Sequence, residues 1–255
     1  MYITTEGVNF RESPNGNILG SFTIGTEVTF LDSTDDIWAY IDYRGHQGFV
    51  VKRYLRDNES NGIEALLKAT IHEWVRFNKG DSYEKSDPYC DYVGEMWAAL
   101  KQPYDGTSID EHGNDIAWSA AFVSWVVGEA QNNVSAYSNF LFSIRHSEFV
   151  NDSIGARFKE DISKPFWGYR INEQMPTLGD IIQRNRIGGS VSFSYAENHS
   201  QYESHSDIVV EVTSDVVRVI GGNVNDSVRI KEYGLDSEGY ILENQGIISL
   251  LKNRT

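Results

Sequence analysis

The sequence has a single cysteine, Cys90, and lacks any long apolar run. One cysteine excludes an internal disulfide framework. A membrane-spanning helix needs about twenty mostly apolar residues, so we predict no membrane insertion. No basic and then apolar leader precedes the strand-like start at Tyr2 and Ile3. If the protein is exported, we therefore expect either a trimmed signal or a route that needs none.

Positive charge is also scarce. The chain has 22 Lys and Arg against 37 Asp and Glu, a net charge of −15 and a pI of about 4.8. Such an acidic surface repels phosphate backbones and anionic lipids, so we expect neither as a partner. The hydrophobic share of 40% is ordinary for a folded protein, and 255 residues suffice for a small domain plus a medium one.

Residues 1–57 consist of short alternating segments separated by turns, which predicts a small all-β barrel. Within them, residues 7–14, 20–28, 38–41, 48–50 and 54–55 resemble the bacterial SH3-like (SH3b) domain. The resemblance implies a module that holds a cell-wall hydrolase to peptidoglycan or its stem peptides. We expect the aromatic side chains of Trp38 and Tyr40 to contribute to that binding.

Residues 56–62 are polar and rich in capping residues, which predicts a linker, so the second domain covers residues 58–255. Apolar residues recur at helical spacing over 63–77, 87–100 and 114–127, and a further helix is expected near 140–149. From Met175 onwards the pattern favours strands, with a polar loop over 183–204. Helices followed by antiparallel strands predict an α+β fold.

The segment 114–127 is apolar on nearly every face, which predicts a buried helix with Ser119 near its start. A helix start favours negative charge, so it suits a nucleophile or an oxyanion. A serine there can also be a simple cap or a tolerated small residue. Residues elsewhere in the chain have to decide between these interpretations.

A nucleophile needs a base and a group that orients the base. His205 opens a predicted strand, Asp207 shares its strand face, and Asn223 ends the following strand. Either Asp207 or Asn223 can orient His205, and both remain open. His146, in the helix expected near 140–149, can also lie by the site, but a core or surface histidine is the main expectation.

Metal chemistry is the weaker alternative at this place in the chain. His199, His205, Asp180 and Asp207 offer nitrogen and oxygen ligands. They include no closely spaced histidine pair, so we expect no metal and no cofactor.

Several segments of the second domain resemble the amidase and endopeptidase domains of the CHAP and NlpC/P60 type. Residues 118–125 resemble their nucleophile helix, residues 179–182 their Gly-Asp strand, and residues 221–224 a Gly-Gly-Asn segment. His205 corresponds to their general base. Residues 62–255 as a whole resemble the bacterial domain of unknown function numbered 2272. The resemblance implies a papain-like fold that cleaves an amide bond of peptidoglycan.

Within these motifs we expect Ser119, His205 and Asn223 or Asp207 to be catalytic, and Trp118 and Asp180 to help bind substrate. The family pattern has cysteine where this chain has Ser119. Ser119 is therefore a true nucleophile, a cysteine replacement that abolishes activity, or the mark of a binding protein without activity.

The resemblance implies a place in the cell wall, outside the cell or in the periplasm. The expected partner is peptidoglycan or its stem peptides. If the protein is an antibacterial effector of the same fold, an inhibitor or immunity protein is a further partner.

Overall fold

In the computed structural model, the described residues are 1–4, 7–23, 25–33, 35–56, 62–133, 135–186 and 188–255. The chain divides into two compact units, Met1–Ser60 and Asn61–Thr255. Most of the predicted linker, residues 57–61, lies outside the described residues, as does Ile24 of the predicted binding module.

The smaller unit is made of antiparallel strands. Its main sheet has the order β3-β2-β6-β5-β4, and β1 pairs with β7. The strands are β1 (Tyr2–Ile3), β2 (Val8–Arg11), β3 (Ile18–Phe22), β4 (Thr29–Ser33), β5 (Trp38–Tyr43), β6 (His46–Val51) and β7 (Leu55–Arg56). Arg44 and Gly45 join β5 to β6 with φ angles of 53° and 84°, as a two-residue turn with two left-handed positions requires.

The core of the smaller unit follows from strand alternation. Val8 and Phe10 of β2 and Ile41 of β5 are buried, whereas Asn9 between the first two is only partly buried. Successive side chains of a strand point to opposite faces, so every second residue enters the core.

The larger unit combines helices with one six-stranded antiparallel sheet of order β12-β11-β10-β9-β13-β8. Its helices are α1 (Gly62–Arg76), α2 (Tyr89–Ala99), α3 (Ser119–Asn133), α4 (His146–Phe158) and α5 (Phe193–Asn198). Its strands are β8 (Phe166–Tyr169), β9 (Ile181–Arg184), β10 (His205–Val212), β11 (Val216–Gly221), β12 (Arg229–Gly234) and β13 (Ile247–Asn253). Helices with antiparallel sheets confirm the α+β class.

Helix α3 is the buried helix of this unit. Phe122, Val123, Val126 and Val127 are all fully buried, and α3 packs against α1 and the strands β10 and β11. A helix that is apolar on most faces has to be covered on most faces. This packing brings the start of α3 to β10, which carries His205, and to β11, whose end at Gly221 lies two residues before Asn223.

Three sequence expectations differ from the structure. The helix expected over 114–127 begins only at Ser119 and extends to Asn133. The helix expected near 140–149 begins only at His146, because Arg145 is extended (φ −131°, ψ 127°) and serves as its N-cap. The polar segment 183–204 contains α5, whose first turn is capped where the Ser192 hydroxyl accepts a hydrogen bond from the Tyr195 N–H. Among the described residues, no helix has the length and apolar character to cross a membrane.

Candidate active site

Ser119 is the first residue of α3, whereas the sequence predicts a helix that already begins near residue 114 and has Ser119 near its start. The Phe122 N–H donates to the Trp118 carbonyl at 2.9 Å, which is the first hydrogen bond of the helix. The N–H groups of the preceding turn have no partner within the helix, and together with the helix dipole they favour negative charge beside the serine. Only 2% of Ser119 is exposed, so its hydroxyl lies at the base of a cleft.

His146 is the direct partner of Ser119. Its Nε2 lies 2.7 Å from the Ser119 Oγ, although sequence reasoning predicted a core or surface histidine. His146 is buried, and it is the first residue of α4, so two helices begin at the same point in space. The contact joins residues 27 positions apart. No spacing rule connects two such helix starts, so a local pattern cannot predict this contact.

Burial determines the charge of His146. It lowers the pKa of the imidazole well below 6.5, and the nearby charge of His205 lowers it further, against a smaller opposing effect of Asp207. His146 is therefore neutral near pH 7.

The hydrogen-bond pattern indicates which nitrogen of His146 carries the proton. Nδ1 is buried and has no partner among the described residues. A proton on Nδ1 would leave a buried donor without an acceptor, whereas a proton on Nε2 leaves only an unused lone pair. The favoured form therefore donates from Nε2 to Ser119, and the serine proton can then point elsewhere.

His205 is paired with Asp207, one of its two predicted partners. The Nε2 of His205 lies 2.7 Å from Oδ1 of Asp207, on the same face of β10. The His205 and His146 rings are 5.4 Å apart between centroids. With Nε2 donating to Asp207, the Nδ1 of His205 is left to accept a proton.

Asp207 is held in its charged form despite being buried. Burial opposes ionisation, but the charge and hydrogen bond of His205, followed by the charge of Arg184, outweigh it and lower the pKa of Asp207. The Arg184 Nε lies 3.6 Å from Oδ2, and the Tyr233 hydroxyl donates to Oδ2 at 3.3 Å. The pair can therefore stabilise a positive charge on His205.

Asn223, the other predicted partner, lines the same hollow as His205. Its backbone adopts a φ of 56°, a left-handed conformation that asparagine tolerates better than most residues. His205 forms its hydrogen bond with Asp207. Asn223 therefore only forms part of the wall of this hollow.

The two glycines before Asn223 permit the close packing of this site. A Cβ on Gly221 would lie 1.8 Å from Oδ1 of Asp207, and one on Gly222 would lie 2.4 Å from Cβ of Phe122 in α3. Any side chain at these positions would separate the strand end from the His205–Asp207 pair or from α3. Steric overlap thus explains why the two positions before Asn223 are glycines.

Two adjoining hollows form the candidate cleft of the larger unit. One, of about 360 Å³, is lined by Ser119 and His146, and the other, of about 410 Å³, by His205 and Asn223. Both are also lined by Ala117, Arg186 and Glu203. We call the two together the cleft. Within the described parts of the chain, no group of three or more His, Cys, Asp and Glu side chains is placed to hold a metal ion.

Two predicted substrate-binding residues of this unit are buried, which corrects their assignment. Trp118 has no exposed surface, stacks on Phe77 with centroids 5.6 Å apart, and donates its indole N–H to Glu84. Asp180 is also fully buried and is paired with Lys252. A side chain without exposed surface cannot contact substrate in this structure, so both residues support the fold around the cleft.

The two predicted binding residues of the smaller unit differ in how far they are buried. Trp38 is only 7% exposed and belongs to the interior. Tyr40 is partly buried, with its hydroxyl donating to Gln47 at 2.8 Å and its ring 4.9 Å from Phe49. The hollow of this unit is lined instead by Phe10, Phe22 and Tyr43, among others.

Comparison with known proteins gives one family match. Residues 86–254 match the model of a family described as "Uncharacterized protein conserved in bacteria (DUF2272)". No curated protein matches the chain.

Two solved structures are similar to the chain, both from Trichomonas vaginalis. The structure of NlpC2 shows 13% identity and a TM-score of 0.34, over 100% of this chain and 72% of that one. The structure of NlpC1 shows 13% identity and a TM-score of 0.29, over 94% of this chain and 67% of that one. TM-scores this low do not establish a shared fold. The family match covers most of the larger unit and more than half of the chain, and the chain therefore belongs to the bacterial DUF2272 family.

Proposed function

We propose that the larger unit is a hydrolase that cleaves an amide bond of peptidoglycan with Ser119 as the nucleophile. The observation that carries this proposal is the contact of the Ser119 hydroxyl with one histidine, His146, beside a second histidine, His205, that is paired with a buried carboxylate. Peptidoglycan as the substrate rests on the sequence motifs that resemble the CHAP and NlpC/P60 domains.

In this mechanism His205 is the general base. Asp207 can stabilise the imidazolium that forms, whereas His146 is buried and its Nδ1 has no partner among the described residues. His146 instead donates to the Ser119 Oγ and leaves the serine proton free to move to Nδ1 of His205. The choice between the histidines follows from which positive charge the protein can stabilise.

The reaction then has two halves. The Ser119 Oγ bonds to the carbonyl carbon while its proton passes to His205, and the N–H groups at the start of α3 hold the oxyanion. His205 returns the proton to the leaving nitrogen as the C–N bond breaks. Water, deprotonated by His205, next attacks the acyl group and releases the acid with Ser119 restored.

The smaller unit is proposed to be an SH3b-like module that holds the protein to the cell wall. Its antiparallel strands and the hollow of about 510 Å³ beside Phe22 and Tyr43 support that role. This assignment places the protein outside the cell or in the periplasm, on peptidoglycan. Trp38 is excluded from the contact surface by its burial.

A binding protein without activity is the second candidate. The observation that favours it is the serine itself, because a serine hydroxyl stays protonated at neutral pH, whereas a cysteine at a helix start ionises readily. An antibacterial effector would use the same chemistry and differ in its partner, an inhibitor protein.

Digestion of isolated peptidoglycan, with the released fragments analysed by mass spectrometry, tests the proposal. The protein is compared with its Ser119→Ala, Ser119→Cys and His205→Ala variants. Cleavage that is lost in Ser119→Ala and His205→Ala supports a serine hydrolase and identifies the bond. Cleavage by the Ser119→Cys variant alone supports the second candidate, a binding protein without activity. If no form releases fragments, the hydrolase proposal is contradicted.

A further inference from the structure

Two arginine side chains of the cleft have no partner among the residues that the structure describes. Arg145 and Arg186 both line the hollow of Ser119, and neither guanidinium group forms a hydrogen bond, an ion pair or a ring contact with any described residue. The other arginines of the larger unit each contact an oxygen or an aromatic ring. They are Arg76, Arg157, Arg170, Arg184, Arg218, Arg229 and Arg254.

Unpaired arginines are unexpected in so acidic a chain. With 37 Asp and Glu against 22 Lys and Arg, carboxylates are plentiful in the chain. Within the described part of the larger unit, the two guanidinium groups without a partner nevertheless lie at the same hollow. A guanidinium group carries the charge opposite to that of a carboxylate, and its planar shape allows two parallel hydrogen bonds to the carboxylate oxygens. Chance placement on the surface would not concentrate both at the nucleophile.

The starts of two helices add to the positive potential at this point. Ser119 begins α3, His146 begins α4, and Arg145 is the residue just before α4. Helix starts favour anions through their N–H groups and dipoles. Glu203 is the opposing charge, since its carboxylate lines the same hollow and forms no ion pair with a described residue.

We propose that Arg145 and Arg186 bind a free carboxylate of the substrate, next to the amide bond that Ser119 attacks. The substrate class is therefore a peptide that carries an unamidated carboxylate close to the scissile bond. This inference rests on the proposed function for the position of that bond, but the binding of the carboxylate does not depend on turnover.

The test measures binding in the Ser119→Ala background, so that no substrate is consumed. The probes are a peptidoglycan stem pentapeptide with all carboxylates free and a set in which each carboxylate in turn is a carboxamide. Calorimetric titration gives the Kd of each probe for the parent, for Arg145→Gln, for Arg186→Gln and for the double variant. Both side chains are exposed and pair with no described residue, so these changes leave the fold intact.

One amidated probe is expected to bind about ten-fold more weakly than the free acid to the parent, as for the loss of one charge-assisted hydrogen bond. The same amidation is expected to change nothing in the double variant. Glu203→Gln removes a negative charge from the same hollow and should tighten binding of the acid. Lys159→Gln, an exposed lysine of the same unit outside the cleft, controls for net charge and should leave the Kd unchanged.

The inference is overturned if no single amidation weakens binding, if the arginine changes weaken the acid and the amide equally, or if no probe binds. The hydrolase proposal fails on a different result, the absence of released fragments from peptidoglycan. A carboxylate-dependent Kd without cleavage would keep the subsite and reject the enzyme.

Discussion

Ser119 and His146 are each the first residue of a helix, and 2.7 Å separates the Oγ of one from the Nε2 of the other. The direct neighbour of the serine is therefore His146, which is buried and neutral. The ring of His205, which is paired with a carboxylate, lies beyond it, with the two ring centroids 5.4 Å apart. The division of work between the two histidines follows from their surroundings, and it can be measured.

Replacement of each histidine by glutamine separates a hydrogen-bond donor from a base. Glutamine carries an N–H at about the position of Nε2 but cannot take up a proton. We expect His146→Gln to keep kcat/KM on peptidoglycan fragments within about ten-fold, whereas His205→Gln loses about 10²–10⁴-fold, the usual share of a general base.

The tautomer of His146 gives a readout that does not need activity. Nitrogen chemical shifts of the imidazole should show a protonated Nε2 and a bare Nδ1 between pH 6 and pH 8, because burial keeps the ring neutral. A proton on Nδ1, or greater loss in His146→Gln than in His205→Gln, would assign the base to His146 instead.

The group that orients His205 can be identified by comparing two substitutions. Asp207→Asn removes the charge that lies 2.7 Å from the Nε2 of His205, so we expect kcat to fall by about 10²–10⁴-fold. Asn223→Ala changes a wall of the cleft, and we expect less than about a ten-fold loss, mainly in KM. The reverse order of effects would restore Asn223 as the orienting residue.

Gly221→Ala should damage both stability and the site. The new Cβ would lie 1.8 Å from Oδ1 of Asp207, and relief of that overlap must move the His205–Asp207 pair. We expect a loss of about 1–3 kcal/mol in the free energy of unfolding by urea denaturation. Gly155→Ala in α4 is the matched control, because no atom lies within 4 Å of its new Cβ, and it should be neutral or stabilising.

Acid should destabilise the larger unit through His146. The pKa of this histidine in the folded protein lies well below 6.5. As pH falls below about 6.5, His146 therefore becomes protonated in the unfolded chain but stays neutral in the folded protein. Its stabilising contribution is present above that pH and is lost below it, by up to about 1.4 kcal/mol per pH unit. Urea unfolding at pH 5, 6 and 7 should show that the free energy of unfolding falls more steeply with acid for the unmodified protein than for His146→Gln. An equal fall for the two proteins would contradict this prediction.

The sequence predicts those parts of the site that a local pattern encodes. Period-two alternation places Asp207 beside His205. The apolar run over 114–127 predicts a helix with Ser119 near its start, although α3 begins only at Ser119 itself. The partnership of Ser119 with His146 depends on how two helices pack, which no local spacing encodes. Helix α5 was missed although Ser192 caps it, because a helix of six residues in a polar segment has almost no periodicity to detect.

Burial accounts for the misassigned residues. Trp118 and Asp180 stand in motifs next to the site, and a motif does not tell whether a residue touches substrate or supports the residue that does. Trp118 contacts Phe77 and Glu84, and Asp180 contacts Lys252. These partners lie at least 34 positions away along the chain, so only the fold reveals them.

The position of β13 affects how the molecule is made. This strand spans Ile247–Asn253, yet it lies between β9 and β8 in the sheet, and Leu250 pairs with Tyr169 on one side and Ile182 on the other. During synthesis β8 emerges from the ribosome long before the strand that pairs with it, so its edge stays open until residues 247–253 arrive. Pairing over such sequence separations is slow. The cleft is thus expected to mature late, only after β13 has closed the sheet.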